Sequence, residues 1–249
     1  MLLRALLFII AAAPLIAQPS ESPGTGGGPS QQELEGRKLA EEVVAAVGGT
    51  SAWNDKSWNL SFDFVAVRDG AEASRFSHIW NRRSDTYILN GKDKEGRTWT
   101  VNFSDIGKKT GSATVNGSLV GDSAGKAMME MGYGRFINDS YWLLMPFKLL
   151  DAGVHHRRGP DTLIGGRTFQ VLQLSFGNVG LTPGDRYWLY IDPATKLVER
   201  WRFLLQSGRE GEFLWTDYRQ FGPVKLSLRK TAPDGSFEIR FENVQVTRK

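Results

Sequence analysis

Trp58, Leu60, Phe62, Phe64 and Ala66 alternate with Asn59, Ser61, Asp63, Val65 and Val67. Side chains of a strand point to opposite faces in turn, so this period of two predicts a half-buried strand, ended by Asp69-Gly70. The same pattern marks Ser74 to Asn81, Thr86 to Asn90, Thr98 to Phe103 and Ser112 to Val120, with turns at Asn90-Gly91 and Glu95-Gly96. It returns at Thr162 and continues through Phe169 to Phe176, Arg186 to Ile191, Val198 to Leu205, Phe213 to Gln220, Val224 to Lys230 and Ser236 to Val246. Gly165-Gly166, Asp192-Pro193, Ser207-Gly208, Gly222-Pro223 and Asp234-Gly235 supply the turns between these runs. About ten or eleven short strands with tight turns predict a mainly β, antiparallel meander, closed as a barrel or strongly curved. The lack of βαβ alternation argues against a nucleotide-binding parallel sheet.

Two segments depart from this period. Leu34, Leu39, Val43, Val44 and Val47 fall near helical spacing, which predicts an amphipathic helix over Gln31 to Val47, stopped by Gly48-Gly49. Asp122 to Leu150 is rich in methionine and aromatics and has no strand period. It reads as a pair of short helices, about Gly125 to Gly132 and Asn138 to Met145. Gly132 and Gly134 would break them, Asp139-Ser140 would start the second, and Pro146 would limit it.

The N-terminus bears on location. Arg4 precedes an apolar run from Ala5 to Ile16, and Ala17 offers a small residue for cleavage. That order is the order of a secretory signal peptide. As a helix the run is about 18 Å long at 1.5 Å per residue, short of a bilayer core of about 30 Å. The expected organisation is therefore a signal peptide at 1–17, a Ser/Pro/Gly-rich flexible linker at 18–30 and a single domain at 31–249, in an exported, periplasmic protein.

Composition removes several function classes. The chain has 0 cysteines, so disulfides, thiolate metal sites and cysteine nucleophiles are excluded. Its 31 basic and 27 acidic residues are interspersed, whereas a nucleic-acid binder concentrates positive charge on one face. No metal or cofactor motif occurs.

Four groups of residues carry candidate chemistry. Gly121-Asp122-Ser123-Ala124-Gly125 fits the G-x-S-x-G pattern of a nucleophile elbow. That motif belongs to a parallel α/β sheet with a histidine late in the chain, and only meander follows His155 and His156 here. His155-His156-Arg157-Arg158 reads as an exposed basic loop or edge, because adjacent strand residues face opposite ways and cannot share one metal. His78, between Phe76 and Trp80, is either a polar group inside a cavity or a hydrogen-bonded residue at the core margin. Asp63 faces away from the aromatic side of its strand, and Asp139, Asp151, Asp161, Asp185 and Asp192 fall where turns or helix ends favour aspartate. Finally, Trp142 to Phe147 is apolar all round, so it is buried core or the wall of an apolar cleft. On the second reading, Trp58, Phe62, Phe64, Trp80, Met128, Met129, Trp142, Leu143 and Met145 line the cleft, the methionines adapting to varied ligands.

Taken in order, the chain resembles the LolA/LolB-like lipoprotein-sorting group of periplasmic proteins. The residues that carry the resemblance are Val44-Ala45-Ala46-Val47-Gly48-Gly49, Gly166-Arg167-Thr168-Phe169-Gln170-Val171-Leu172-Gln173-Leu174, Tyr190-Ile191-Asp192-Pro193-Ala194-Thr195-Lys196-Leu197-Val198 and Asp217-Tyr218-Arg219-Gln220-Phe221-Gly222-Pro223-Val224-Lys225-Leu226. Phe136 to Asp151 resembles an uncharacterised exported bacterial branch of that architecture. The resemblance implies an α+β fold: a curved, half-open antiparallel β-barrel with an N-terminal helix and the central helical pair on its concave face. It also implies a carrier that takes a lipid, an acyl chain or a lipidated protein, with transient membrane contact, as a monomer without cofactor and without enzymatic activity. The N-terminal cysteine of lipidated members is absent. Two other functions compete with it: an envelope protein-interaction or sensing module that lacks a cavity, and a serine hydrolase using Ser123.

Overall fold

The computed structural model describes residues 28–176 and 184–248; the signal peptide expected at 1–17, and the expected linker up to residue 27, lie outside the described residues. Two helices, α1 (Gln31–Ala46) and α2 (Gly49–Asn54), precede β1 (Trp58–Arg68), β2 (Ala71–Asn81), β3 (Thr86–Lys92), β4 (Thr98–Asp105), β5 (Thr110–Val115) and β6 (Ser118–Val120). Helix α3 (Asp122–Leu144) and a 3-10 turn (Met145–Lys148) follow. The chain then runs through β7 (Val154–Ile164), β8 (Arg167–Phe176), β9 (Arg186–Ile191), β10 (Val198–Leu204), β11 (Glu210–Phe221), β12 (Val224–Thr231) and β13 (Phe237–Arg248). The strands form one mostly antiparallel sheet in the order β6-β5-β4-β3-β2-β1-β13-β12-β11-β10-β9-β8-β7, which has two ends and is not closed. The mainly β sheet expected from the alternation, and the α+β class that the resemblance implies, are both observed.

Thirteen strands replace the expected ten or eleven for two local reasons. Ser112 to Val120 folds back on itself, because Asn116 (φ 49°) and Gly117 (φ 80°) make the two-residue turn that joins β5 to β6. The basic run at His155 lies in an edge strand, β7, whose only sheet partner is β8. His155 is exposed and His156 buried, as alternation requires.

The chain divides into two compact units, Met1–Ala46 with Lys148–Phe213, and Val47–Phe147 with Leu214–Lys249. In the first unit α1 covers β7 and β8 with Leu39, Ala40, Val43 and Val44, whose spacing makes one apolar stripe. Leu34, expected on that stripe, is 52 % exposed. Gly36 permits the approach: a Cβ there would lie 2.8 Å from the backbone N and C of Arg157. Ion pairing of Lys196 with Glu42 (2.8 Å) and a hydrogen bond from Arg157 Nε to Gln32 (2.7 Å) flank the contact.

In the second unit β1 lies between β2 and β13, and α3 crosses one side of the sheet, the inner face. Gly125 meets the carbonyl of Val120, Gly132 sits on Val101 of β4, Arg135 lies over Phe76 of β2, and the helix also packs on β12. The expected pair of central helices is thus one continuous helix of 23 residues. Gly132 does not break it, because the missing side chain serves the close approach instead: a Cβ there would be 2.8 Å from Val101 Cγ1. Asp139 and Ser140 are not a helix start either. They are buried in mid-helix, and the Ser140 hydroxyl donates back to the carbonyl of Phe136.

Candidate functional site

The inner face of the second unit gathers most of the residues expected to line a cleft. Trp58, Phe62 and Phe64 of β1 are buried there, as are Trp142 and Leu143 of α3 and Met145 in the 3-10 turn. Phe241 of β13 meets Phe62 and Phe64 edge-on, each at 5.6 Å. Half-buried Trp80 meets Phe136 of α3 at 5.2 Å and Trp53 of α2 at 6.4 Å. Met128 and Met129 are not part of this cluster. They lie fourteen and thirteen residues before Trp142, about 20 Å along the helix axis, and both are half-buried.

Phase around α3 explains what the methionines are doing. Met128 precedes Gly132, Arg135 and Asp139 by four, seven and eleven residues, so all four share the sheet-facing stripe. The last three are buried, while Met128 and its flanking neighbours Met129 and Met131 are only half-covered. The apolar stripe therefore continues past the part of the face that the sheet protects.

Beneath the middle of α3 the inner face is polar. Asp139, fully buried, accepts a hydrogen bond from Asn138 Nδ2 at 2.7 Å and has Arg135 Nη1 at 3.5 Å from both carboxylate oxygens. His78 Nε2 approaches Asp139 Oδ2 to 3.3 Å without hydrogen-bond alignment, and His78 Nδ1 is hydrogen-bonded to the hydroxyl of Tyr87. Burial, helped by the nearby Asp139 charge, holds the Tyr87 phenol well above its ordinary range. The His78 ring stacks on Phe62 at 4.5 Å, and the Arg135 guanidinium lies 3.8 Å from the centre of the Phe76 ring. His78 is hydrogen-bonded, but it lies in the interior, 1 % exposed, and not at the core margin.

Two further cations are buried in this unit. Arg82 lies over Trp58 at 3.7 Å and Trp53 at 4.4 Å and donates to the carbonyls of Trp53 and Asp55, where α2 ends. Burial lowers its pKa to about 10, against the pull of Asp55 and Asp85. Lys230 of β12 is 0 % exposed. Its Nζ donates to the Ser227 carbonyl and sits 4.4 Å from the ring centre of Trp215 and 4.5 Å from that of Phe241. Burial pushes its ammonium well below the ordinary lysine range, opposed only by the charge of Asp217.

Sequence reasoning missed Tyr87, Arg82, Arg135 and Lys230, and took Asp139 for a cap. Lys230 had a signal: it is in phase with Val224, Leu226 and Leu228, so the alternation that buries them buries it too. Asp63 does face away from the aromatic side, held by Ser77 (2.6 Å), Asn243 (2.8 Å) and Arg75 (3.0 Å).

The G-x-S-x-G segment is structural in its glycines. Gly125 lacks a side chain because a Cβ would lie 2.5 Å from the Val120 carbonyl oxygen. The positive φ that an elbow puts on its nucleophile falls on Asp122 (53°) instead of Ser123. Ser123 is exposed and has no histidine partner among the described residues, and the preceding strand is antiparallel to its neighbour. Among the described residues no cluster of three His, Asp or Glu could hold a metal ion, and no helix is long and apolar enough to cross a membrane.

No family model matches this chain, and no curated protein matches it in sequence. Its structural neighbours include a DUF1329 family protein from Desulfovibrio piger, with 11 % identity and a TM-score of 0.46 over 87 % of this chain and 93 % of that one. A LolA superfamily protein from Nitrosomonas europaea aligns with 9 % identity and a TM-score of 0.48, over 84 % of this chain and 92 % of that one. An outer membrane lipoprotein-sorting protein domain from Vibrio parahaemolyticus aligns with 9 % identity and a TM-score of 0.44, over 86 % and 93 %.

Proposed function

We propose that the second unit binds an acyl chain or another apolar moiety along the sheet-facing side of α3, and that the protein carries it in the periplasm. The observation that supports this is the exposure of Met128, Met129 and Met131 at or beside inward-facing helical positions. Unbranched methionine adapts its shape to different apolar partners. Each methylene withdrawn from water contributes about 0.8 kcal/mol, so an acyl chain gains affinity there without specific hydrogen bonds. Deeper along the face, Phe62, Phe64 and Leu143 are covered by the protein's own side chains, and a ligand reaches them by displacing α3. Export rests on the sequence of residues 1–17.

Uptake of N-phenylnaphthylamine, an uncharged probe that brightens in apolar surroundings, tests the reading. Wild-type protein is expected to bind it, and an acyl competitor to displace it. Met128→Glu and Met129→Glu place a carboxylate at the half-exposed entry and are expected to weaken uptake about tenfold or more while the protein stays folded. No uptake by the wild type, together with a ligand-free mass for protein isolated from its own envelope, would rule the proposal out.

A further inference from the structure

A lysine buried in an apolar wall without a carboxylate beside it is costly, and such groups concentrate where function needs them. Lys230 is one. It lies on the inner face, and its surroundings can be traced from ring to ring. Its Nζ touches the faces of Trp215 and Phe241, Phe241 meets Phe62, and Phe62 stacks on His78 beside Asp139 of α3. The only hydrogen bond Nζ makes among the described residues goes to the Ser227 carbonyl. Among the described residues no acidic side chain forms an ion pair with it, whereas Arg135, another cation on this face, has Asp139. An ammonium group has three donors, so Lys230 keeps capacity for an anion. The aromatic faces on either side favour the charged form once such an anion arrives.

We propose that Lys230 receives the acidic headgroup of the acyl ligand, so that the protein selects anionic lipids, carboxylates in particular, over neutral ones. This rests on the acyl-binding reading above and adds ligand class to it. The headgroup sits between the Trp215 and Phe241 rings against Nζ, and the chain lies across the inner face under α3, towards Met128. A charge-assisted hydrogen bond in an apolar setting is worth about tenfold or more in affinity.

Competition separates this inference from the acyl-binding reading. Laurate and dodecanol share a chain and differ in headgroup; each is titrated against protein loaded with N-phenylnaphthylamine. Wild-type protein is expected to bind laurate at least about tenfold more tightly than dodecanol. Lys230→Met keeps the length and apolar character of the stem, and is expected to abolish the preference by weakening laurate while leaving dodecanol within about twofold. Displacement by both compounds with equal affinity in the wild type overturns the headgroup site and leaves the acyl-binding reading standing. Failure of the wild type to bind the probe or either competitor overturns both. Should the methionine variant not fold, the wild-type preference decides alone.

Discussion

Asp139→Ala is the perturbation that most directly tests how α3 is seated. The carboxylate has no exposure, accepts from Asn138 at 2.7 Å, and holds Arg135 Nη1 at 3.5 Å and His78 Nε2 at 3.3 Å. Alanine removes the countercharge of a guanidinium whose side chain is only 6 % exposed and whose remaining partner on that side is the face of Phe76. Leaving one member of a buried ion pair alone costs about 3–5 kcal/mol, which outweighs the small gain in helix propensity from alanine. At about 2–4 °C per kcal/mol for a chain of this size, the melting temperature falls by roughly 6–20 °C. Arg135→Met, which strands the carboxylate instead, has a loss of the same order. The double variant Arg135→Met with Asp139→Ala removes both charges together, and it is expected to be more stable than either single variant, because neither charge is then left buried alone. Urea unfolding followed by tryptophan fluorescence measures all four corners of this cycle, with Trp80 reporting on α3 through its edge contact with Phe136. Single variants that each cost under about 1 kcal/mol, with an additive double variant, would refute the claim that Arg135 and Asp139 depend on each other in the buried interior.

Gly36→Ala puts a methyl group against the backbone of Arg157, which cannot yield as a side chain would. Its cost, about 1–3 kcal/mol of overpacking, exceeds the gain of about 1 kcal/mol from helix propensity, so melting should fall and protease cleavage within α1 should rise; a more stable variant would contradict the packing. Lys230→Met should raise stability near neutral pH, by an amount that fades with rising pH. The depressed lysine binds fewer protons folded than unfolded, so wild-type stability climbs with pH between its folded value and the ordinary lysine range near about 10.4. Unfolding curves for both proteins across that window check the slope, and a pH-independent difference would count against a depressed lysine. Ser123 should resist a fluorophosphonate probe, since neither the turn geometry nor a histidine activates it; labelling lost in Ser123→Ala would revive the hydrolase.

The strands were legible because burial of one face imposes a period that survives in a single sequence. β1, β2, β4 and β12 all stand where Trp58 to Val67, Ser74 to Asn81, Thr98 to Phe103 and Val224 to Lys230 alternate. Edge strand β7 was harder, because charged residues occupy both its faces in the run from His155 to Arg158. The continuity of α3 was hidden by chemistry that works in two ways. Glycine at 132 is a helix breaker in isolation and a contact residue against Val101, and an Asp-Ser pair is a cap at a helix end and a buried acceptor in mid-helix. Which role applies depends on residues far along the chain, Val101 for Gly132 and His78 for Asp139, and no local pattern carries that pairing. The registers that place Phe62 opposite His78 and Lys230 opposite Trp215 are likewise set by the folded sheet.

The sheet-facing stripe of α3 reads Met128, Gly132, Arg135, Asp139, Leu143, apolar at both ends and charged in the middle. An all-apolar stripe would hold the helix at least as strongly, so the charges are not there for strength. What they add is position. A slide of one helical turn would keep apolar contacts roughly equivalent, but it would move Asp139 about 5.4 Å from His78 and Arg135 as far from the Phe76 ring. The network therefore fixes one resting place for α3 at little net gain in stability. A ligand that enters at the methionines and moves along the face must part Asp139 from His78 before it reaches Phe62. The free energy of that parting is the quantity a His78/Asp139 double-variant cycle measures, so this one contact between helix and sheet bears on both the register of the closed helix and the resistance to opening it.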